Sequence, residues 1–82
     1  MGRSQLQLEL TLLEGISLGK NRRTHLMYHA NINWKMLKKL LHSLYTRKLV
    51  VTIELRKSKL YHLTDKGRET LWLWSQLQSK LH

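Results

Sequence analysis

Eighty-two residues make one small domain, close to the size at which a chain needs a partner, a metal or a disulfide to support its core. With 15 Lys and Arg against 5 Asp and Glu, the formal net charge is +10, and the expected partners are polyanions such as nucleic acid or an acidic membrane surface. The absence of cysteine excludes disulfides and thiolate metal sites, and no stretch approaches the roughly eighteen apolar residues that span a bilayer, so a soluble, cytoplasmic protein is expected.

The Met1-Gly2 start suits N-myristoylation, but Leu6 stands where that pattern takes Ser or Thr, and no lipid anchor is expected. Residues 4–14 set Leu6, Leu10 and Leu13 on one helical stripe, and Gly15 and Gly19 are expected to bracket the turn that closes this first helix. Asn21 is the candidate cap of a short second helix over about 22–30, with Leu26, Met27 and Ala30 as its apolar contacts and Asn31 as its end. Asn33 then caps a third helix over about 34–47. Asn31, Ile32 and Asn33 alone separate the two, the spacing of a helix-turn-helix, with Ile32 filling the core at the turn.

After Arg47 the pattern changes to LVVTIEL, then RKSK, then LYHL, which reads as a β-hairpin with a basic tip. Thr64 opens a last helix running to His82, with Asp65 at its positive N-terminal end and Leu71, Trp74, Leu77 and Leu81 along one face. No repeat, linker or glycine-rich loop interrupts the chain, which is read as a single domain with a body over 4–63 and a C-terminal helix over 64–82.

The order α, α, α, β, β, α with a basic third helix and a basic hairpin is the outline of a winged helix-turn-helix, a fold that lays its third helix in the DNA major groove. Opposite Leu37, Leu41 and Leu44, the third helix carries Lys35, Lys38, Lys39 and His42, with Trp34 at the border. The lysines suit phosphate, whereas Asn33, Trp34 and His42 are candidates to meet base edges. Residues 20–68 hold 13 basic side chains against Glu54 and Asp65, a local formal charge of +11. Arg22 and Arg23 on the second helix, with Arg56, Lys57 and Lys59 at the hairpin tip, flank the third helix in a footprint suited to the DNA backbone.

His25 and His29 stand four apart, as zinc-binding pairs do, yet no further ligand accompanies them, so neither metal nor other cofactor is expected. Leu71, Trp72, Leu73, Trp74 and Leu77 give the last helix more apolar surface than one side can bury in a small domain. Pairing with a second copy through Leu71, Trp72, Trp74, Leu77 and Leu81 is therefore expected. Tyr28, Tyr45 and Tyr61 read as core or rim aromatics. Five acids offer no convincing carboxylate pair and no nucleophile elbow is present, so no enzymatic activity is expected, nor is a small-molecule ligand evident. RNA stacked on Trp34, and a protein-interaction module, are the remaining alternatives.

Through RRTHLMYHANINWKMLKKLLHSLYTRKLV and then KLYHLTDKGRETL, the chain resembles the small winged-helix DNA-binding proteins of archaea, which include chromatin-associated and virus- or plasmid-encoded regulators. The likeness covers roughly residues 5–80. THLMYHANINWKMLKKLL is similar to that family's second and third helices, and YHLTDKGRETL to the wing's return strand entering the last helix. The resemblance implies a homodimer joined through the C-terminal helices, with Trp34, Lys35, Lys38 and Lys39 on the recognition surface and Arg56 to Lys59 on the wing. Two positions depart from the family pattern: Lys48 stands where a glycine often ends the third helix, and Arg22 where a small capping residue is common. The resulting expectation is a dimeric, sequence-specific regulator that places residues 33–47 in the major groove and 56–59 on backbone or minor groove. A less specific chromatin-type DNA-binding protein is the alternative.

Overall fold

A computed structural model describes residues 3–81, running α1 (Gln5–Ser17), α2 (Arg23–Ala30), α3 (Trp34–Thr46), β1 (Val50–Leu55), β2 (Ser58–Leu63) and α4 (Asp65–Leu81). This is the expected order of a helix-turn-helix followed by a hairpin wing. The lipidation pattern at Met1-Gly2 and the last residue of the expected final helix, His82, lie outside the described residues. Among the described residues no helix is long and apolar enough to cross a membrane.

The core is mostly leucine. Leu12 and Leu13 of α1, Leu26 of α2, Leu37, Leu40 and Leu44 of α3 and Val50 of β1 are fully enclosed, and Tyr61 and Leu63 of β2 close the side. α1 packs against α2, α3, α4 and β2 at once, so it is buried around much of its circumference. The single stripe expected for it therefore fails: Leu6 is exposed, while Leu8, Leu12 and Ile16 join Leu10 and Leu13 inside. Buried beside them is Glu9, whose Oε1 accepts from Gln5 Nε2 at 2.9 Å and whose Oε2 meets the Arg47 guanidinium, tying α1 to the end of α3.

Helix ends follow local chemistry more closely than spacing alone predicts. α1 continues through Gly15 to Ser17, because Gly15 is where α2 approaches: a Cβ there would lie 2.7 Å from Cδ2 of His29. Gly19, at φ +90°, makes the actual turn. Asn21 does not cap α2. That position falls to Arg22, which makes no side-chain capping bond, while Asn21 donates through Nδ2 to Tyr61 O (3.3 Å) and accepts from Tyr61 N–H (2.9 Å). Asn31 ends α2 in the left-handed region (φ 54°), and Asn33 Oδ1 caps α3 by accepting from Met36 N–H at 2.8 Å, both as expected. Ile32 packs half-buried against the core between them.

Where glycine was absent at the end of α3, Lys48 itself takes the left-handed conformation (φ 62°). Its N–H donates to Tyr45 O and that of Leu49 to Leu44 O, both at 3.0 Å, the paired closure that glycine usually allows. The hairpin register runs from Val50 opposite Leu63 to Leu55 opposite Ser58, leaving Arg56 and Lys57 as the turn. Lys59 is therefore not at the tip but within β2, opposite Glu54. Alternation places Val50, Thr52, Lys59, Tyr61 and Leu63 on one face and leaves Val51, Ile53 and Leu55 exposed on the other.

Thr64 fastens the base of the hairpin. Its N–H donates to Leu49 O (3.1 Å), its hydroxyl donates to Lys48 O (2.6 Å), and its Oγ1 accepts from Gly67 N–H (2.9 Å), capping α4. On α4, Leu71 and Trp74 pack half-buried on the core, whereas Trp72, Leu73, Leu77 and Leu81 are exposed. Of the tyrosines, Tyr61 is core, but Tyr28 is 87% exposed and Tyr45 also faces solvent, because α2 and α3 turn those sides outward.

Gly67 has no room for a side chain: a Cβ would sit 2.1 Å from the Leu49 carbonyl oxygen. Gly67→Ala is expected to lower the unfolding free energy by about 3 kcal/mol, since backbone must yield, and Gly15→Ala by less, about 1 kcal/mol, since what its Cβ meets is the His29 side chain and not backbone. Urea denaturation of the two variants checks the order, and equal losses would contradict it.

Candidate nucleic-acid interface

Four buried leucines, Leu37, Leu40, Leu41 and Leu44, fix the rotation of α3 about its axis, and the Asn33 cap fixes its start. The opposite side must then face solvent, and Lys35, Lys38, Lys39 and His42 are all exposed there. Trp34, in the first turn, is held by its neighbour on α2: the Arg23 guanidinium carbon stands 4.8 Å from the centroid of the indole, a cation–π stack.

Two grooves meet at that tryptophan. The first, about 340 Å³, lies between the start of α2 and the hairpin; it brings Arg22, Arg23 and Thr24 to face Lys57, Ser58 and Lys59, with Trp34 and Tyr61 completing it. The second, about 380 Å³, separates Lys38, Leu41, His42 and Tyr45 of α3 from Val50, Thr52, Lys59 and Tyr61 on the inner hairpin face. Trp34, Lys59 and Tyr61 belong to both. Among the described residues the ion pairs are Arg47 with Glu9, Arg68 with Asp65 and His29 with Glu14, so no lysine or arginine of either groove is engaged by a carboxylate.

Of the residues singled out in the sequence, Arg22, Arg23, Trp34, Lys38, His42, Lys57 and Lys59 are thus brought together. Lys35 and Lys39 lie on the exposed side of α3 outside both grooves. Arg56 sits in the hairpin turn at φ 58°, exposed and lining neither. Asn33 has its carbonyl oxygen committed to the helix cap, which leaves its amide nitrogen for any other contact. Thr24, Leu41, Tyr45, Thr52, Ser58 and Tyr61 were not anticipated as groove residues. The period-2 spacing of Lys59, Tyr61 and Leu63 carried that signal for Tyr61, as did the helical spacing of Lys38, Leu41 and Tyr45 for the other side.

Tyr61 is 7% exposed, and burial pushes its phenol above the ordinary tyrosine range, with the nearby Arg23 charge pulling the other way. Away from the grooves, His29 Nε2 lies 3.8 Å from Glu14 Oε1 while His25 faces solvent, and among the described residues no three His, Asp or Glu side chains converge as metal ligands would.

Comparison with known proteins places the arrangement in context. A family model described as winged helix-turn-helix matches residues 2–82. A search of curated proteins returned no match. Among solved structures, Sso10a-2, a DNA-binding protein from Sulfolobus solfataricus, superposes with a TM-score of 0.76 at 20% identity, covering 96% of this chain and 85% of that one. A protein of unknown function from Listeria innocua also superposes at 0.76, with 23% identity over 84% of this chain; the match takes in 50% of the Listeria chain.

The raised Tyr61 value has a measurable consequence. A neutral phenol favoured in the folded state means that the folded chain binds more protons than the unfolded chain between the ordinary tyrosine value and the raised one. The stabilising contribution is therefore present below about pH 10, the ordinary tyrosine value, and is lost as pH rises above it. Urea denaturation at pH 8 and pH 10.5 is expected to show a larger loss for the parent than for Tyr61→Phe. Parallel losses would mean that the hydroxyl is not held in a buried setting.

Proposed function

The chain belongs to the winged helix-turn-helix family, and on that premise we propose that it binds double-stranded DNA, with α3 in the major groove and the β1–β2 turn on adjoining backbone or minor groove. The observation that carries this reading is the gathering of unpaired cations on one side of the molecule. Lys38 and His42 of α3 share grooves with Arg22 and Arg23 of α2 and Lys57 and Lys59 of the hairpin, and Lys35 and Lys39 extend the surface along the same helix. The fold shared with the DNA-binding protein Sso10a-2 over nearly the whole chain supports the same conclusion.

Lysine and arginine neutralise phosphate and release counterions, which gives affinity; Trp34, His42 and the Asn33 amide are the groups of this surface suited to base edges. Sequence-specific regulation is the reading for that centre. The preponderance of lysine around it favours the second reading, a less specific chromatin-type DNA-binding protein using the same surface. In both readings the protein acts as a homodimer through α4, where Trp72, Leu77 and Leu81 are 60%, 49% and 72% exposed in a single protomer, and Leu71 and Trp74 are only half-covered. A two-fold pairing of these faces sets two copies of α3 at half-sites about one helical turn, or a multiple, apart.

Lys38→Ala and Lys39→Ala are each expected to weaken binding to every duplex and to lower the slope of log affinity against log salt by about one. Fluorescence anisotropy across a salt series measures both quantities, and unchanged affinity and slope in both variants would remove α3 from the DNA.

For the dimer, Trp72→Ala combined with Leu77→Ala removes apolar groups that a single protomer leaves exposed. Burial of each is worth roughly 1.5–3 kcal/mol, so association is expected to weaken at least tenfold without loss of fold. Analytical ultracentrifugation reads this directly, and a parent that stays monomeric up to about 100 μM, well above functional affinities, would leave the stripe without a partner.

A further inference from the structure

The hairpin has one covered edge and one open edge. On the β2 side, Tyr61 N–H donates to Asn21 O at 2.9 Å and Tyr61 O accepts from Asn21 Nδ2 at 3.3 Å, so both backbone groups of Tyr61 face away from β1. Tyr61 stands opposite Thr52, and Lys59 opposite Glu54. Opposite residues of an antiparallel ladder exchange both of their bonds or neither, in alternation, so the N–H and C=O of Thr52 and of Glu54 also point away, out from the edge of β1. None of these four groups bonds to anything among the described residues, and both residues are exposed.

The open edge lacks the devices that keep such edges apart. β1 reads VVTIEL, six residues without proline, lysine or arginine, and its pairing with β2 runs without a bulge. On the outward face of the hairpin Val51, Ile53 and Leu55 are 41%, 47% and 61% exposed, an apolar row at every second residue. Cations flank the strand, Lys48 ahead of it and Arg56 behind.

We propose that this edge pairs with the β1 edge of a second copy, antiparallel about a two-fold axis at Ile53, giving a sheet of order β2–β1–β1–β2. The charges choose the register. With Ile53 opposite Ile53 of the second copy, Thr52 meets Glu54, so that the outward groups bond one another, Val51 meets Leu55, and Arg56 meets Val50. A shift in one direction sets Glu54 against Glu54, and the same shift in the other sets Arg56 against Lys48. A half-shift between them points the outward groups of one strand at the inward groups of the other, and the bonds are lost. A parallel arrangement gathers the two cationic turns at one end. A foreign strand would need the same alternating apolar row with an acid at the same place; the chain supplies both itself. The inference stands without DNA binding and without the α4 contact.

Amide hydrogen exchange by NMR, on the full chain without DNA, reads the contact itself. Exchange at Thr52 and Glu54 is expected to slow about threefold or more as the chain is concentrated from about 20 μM to about 1 mM, whereas Ile53, whose amide faces β2, changes little. Trp72→Ala with Leu77→Ala, which removes the α4 contact, should leave this protection in place.

Ile53→Glu should abolish the protection by setting two carboxylates opposite each other, although it lowers the net charge and so reduces general repulsion between copies. Ile53→Lys alone should abolish it too. An equal mixture of the two variants should restore it, since acid then faces base across the axis. Position 53 lies on the outer face, so both variants are expected to keep the fold. Amides that exchange alike at both concentrations, protection that persists in Ile53→Glu or disappears with the α4 contact, or a mixture no better protected than its components would each overturn the proposal.

Discussion

The close approach of Gly67 to the Leu49 carbonyl is the constraint on which the functional side of the molecule depends. At that point the chain leaves α3 for the hairpin, returns from it, and enters α4. Thr64 bonds both Lys48 and Leu49 across this junction, and Lys66 Nζ adds a bond to Arg47 O at 3.1 Å. The base of a two-stranded hairpin is thereby clamped to the end of the helix it must stand beside. An isolated hairpin of two strands is marginally stable in water, and this one gains its order from the clamp, from Val50, Tyr61 and Leu63 in the core, and from the Asn21–Tyr61 bonds along its outer edge. Any side chain at position 67 pushes α4 away from Leu49, at the junction where the hairpin base is fastened.

Three of the five acids are drawn away from the grooves: Glu9 is buried against Arg47, Asp65 meets Arg68, and Glu14 lies beside His29, while Glu54 stands opposite Lys59 across the hairpin. Glu9 also shows what the polar core contact does mechanically. It joins α1 to the C-terminal end of α3, the same end that Thr64 and Lys48 hold from the other side, so α3 is anchored at one end by an ion pair and at the other by the Asn33 cap. Removing Arg47 would leave the Glu9 carboxylate buried without its partner, at a cost of several kcal/mol, on the order of 3–5, whereas Arg47 itself is half exposed.

Much of this was legible in the sequence because separate local signals agreed. The leucine period of α3, the asparagines on either side of the turn, and Thr64 ahead of Gly67 all point to one fold, and each of those residues does what its chemistry suggests. The misreadings have physical causes. Leu6 looked like core because one stripe was assumed for a helix that packs against four neighbours. Gly15 looked like a helix end because a glycine required for a close helix crossing is indistinguishable, in sequence, from one required for a turn. Asn21 looked like a cap, but its side chain serves a strand edge 40 residues away, a partner that no local pattern announces. The hairpin tip was read as four residues because neither Arg56 nor Lys57 is a usual turn former; Arg56 takes a positive φ nonetheless. The basic residues were found readily, whereas the grooves between them depend on which strand face meets α3, and Tyr61 could be assigned there only through the register.

The surface that results has a packed centre and an exposed edge. Trp34 is stacked under Arg23 and Tyr61 is locked in the core, so the point where the two grooves meet is ordered before any ligand arrives. The lysines of α3 and the hairpin keep their side-chain freedom, and each loses some of it on binding. Contacts at the centre carry less of that entropic cost, which favours discrimination there, while the lysines supply an attraction that is long-ranged, salt-sensitive and indifferent to sequence. On the proposed function, position along the polyanion would be set at Trp34 and its neighbours and the strength of attachment around them, so that changing a lysine would alter how tightly the protein holds, and changing Trp34, Arg23 or Tyr61 where it holds.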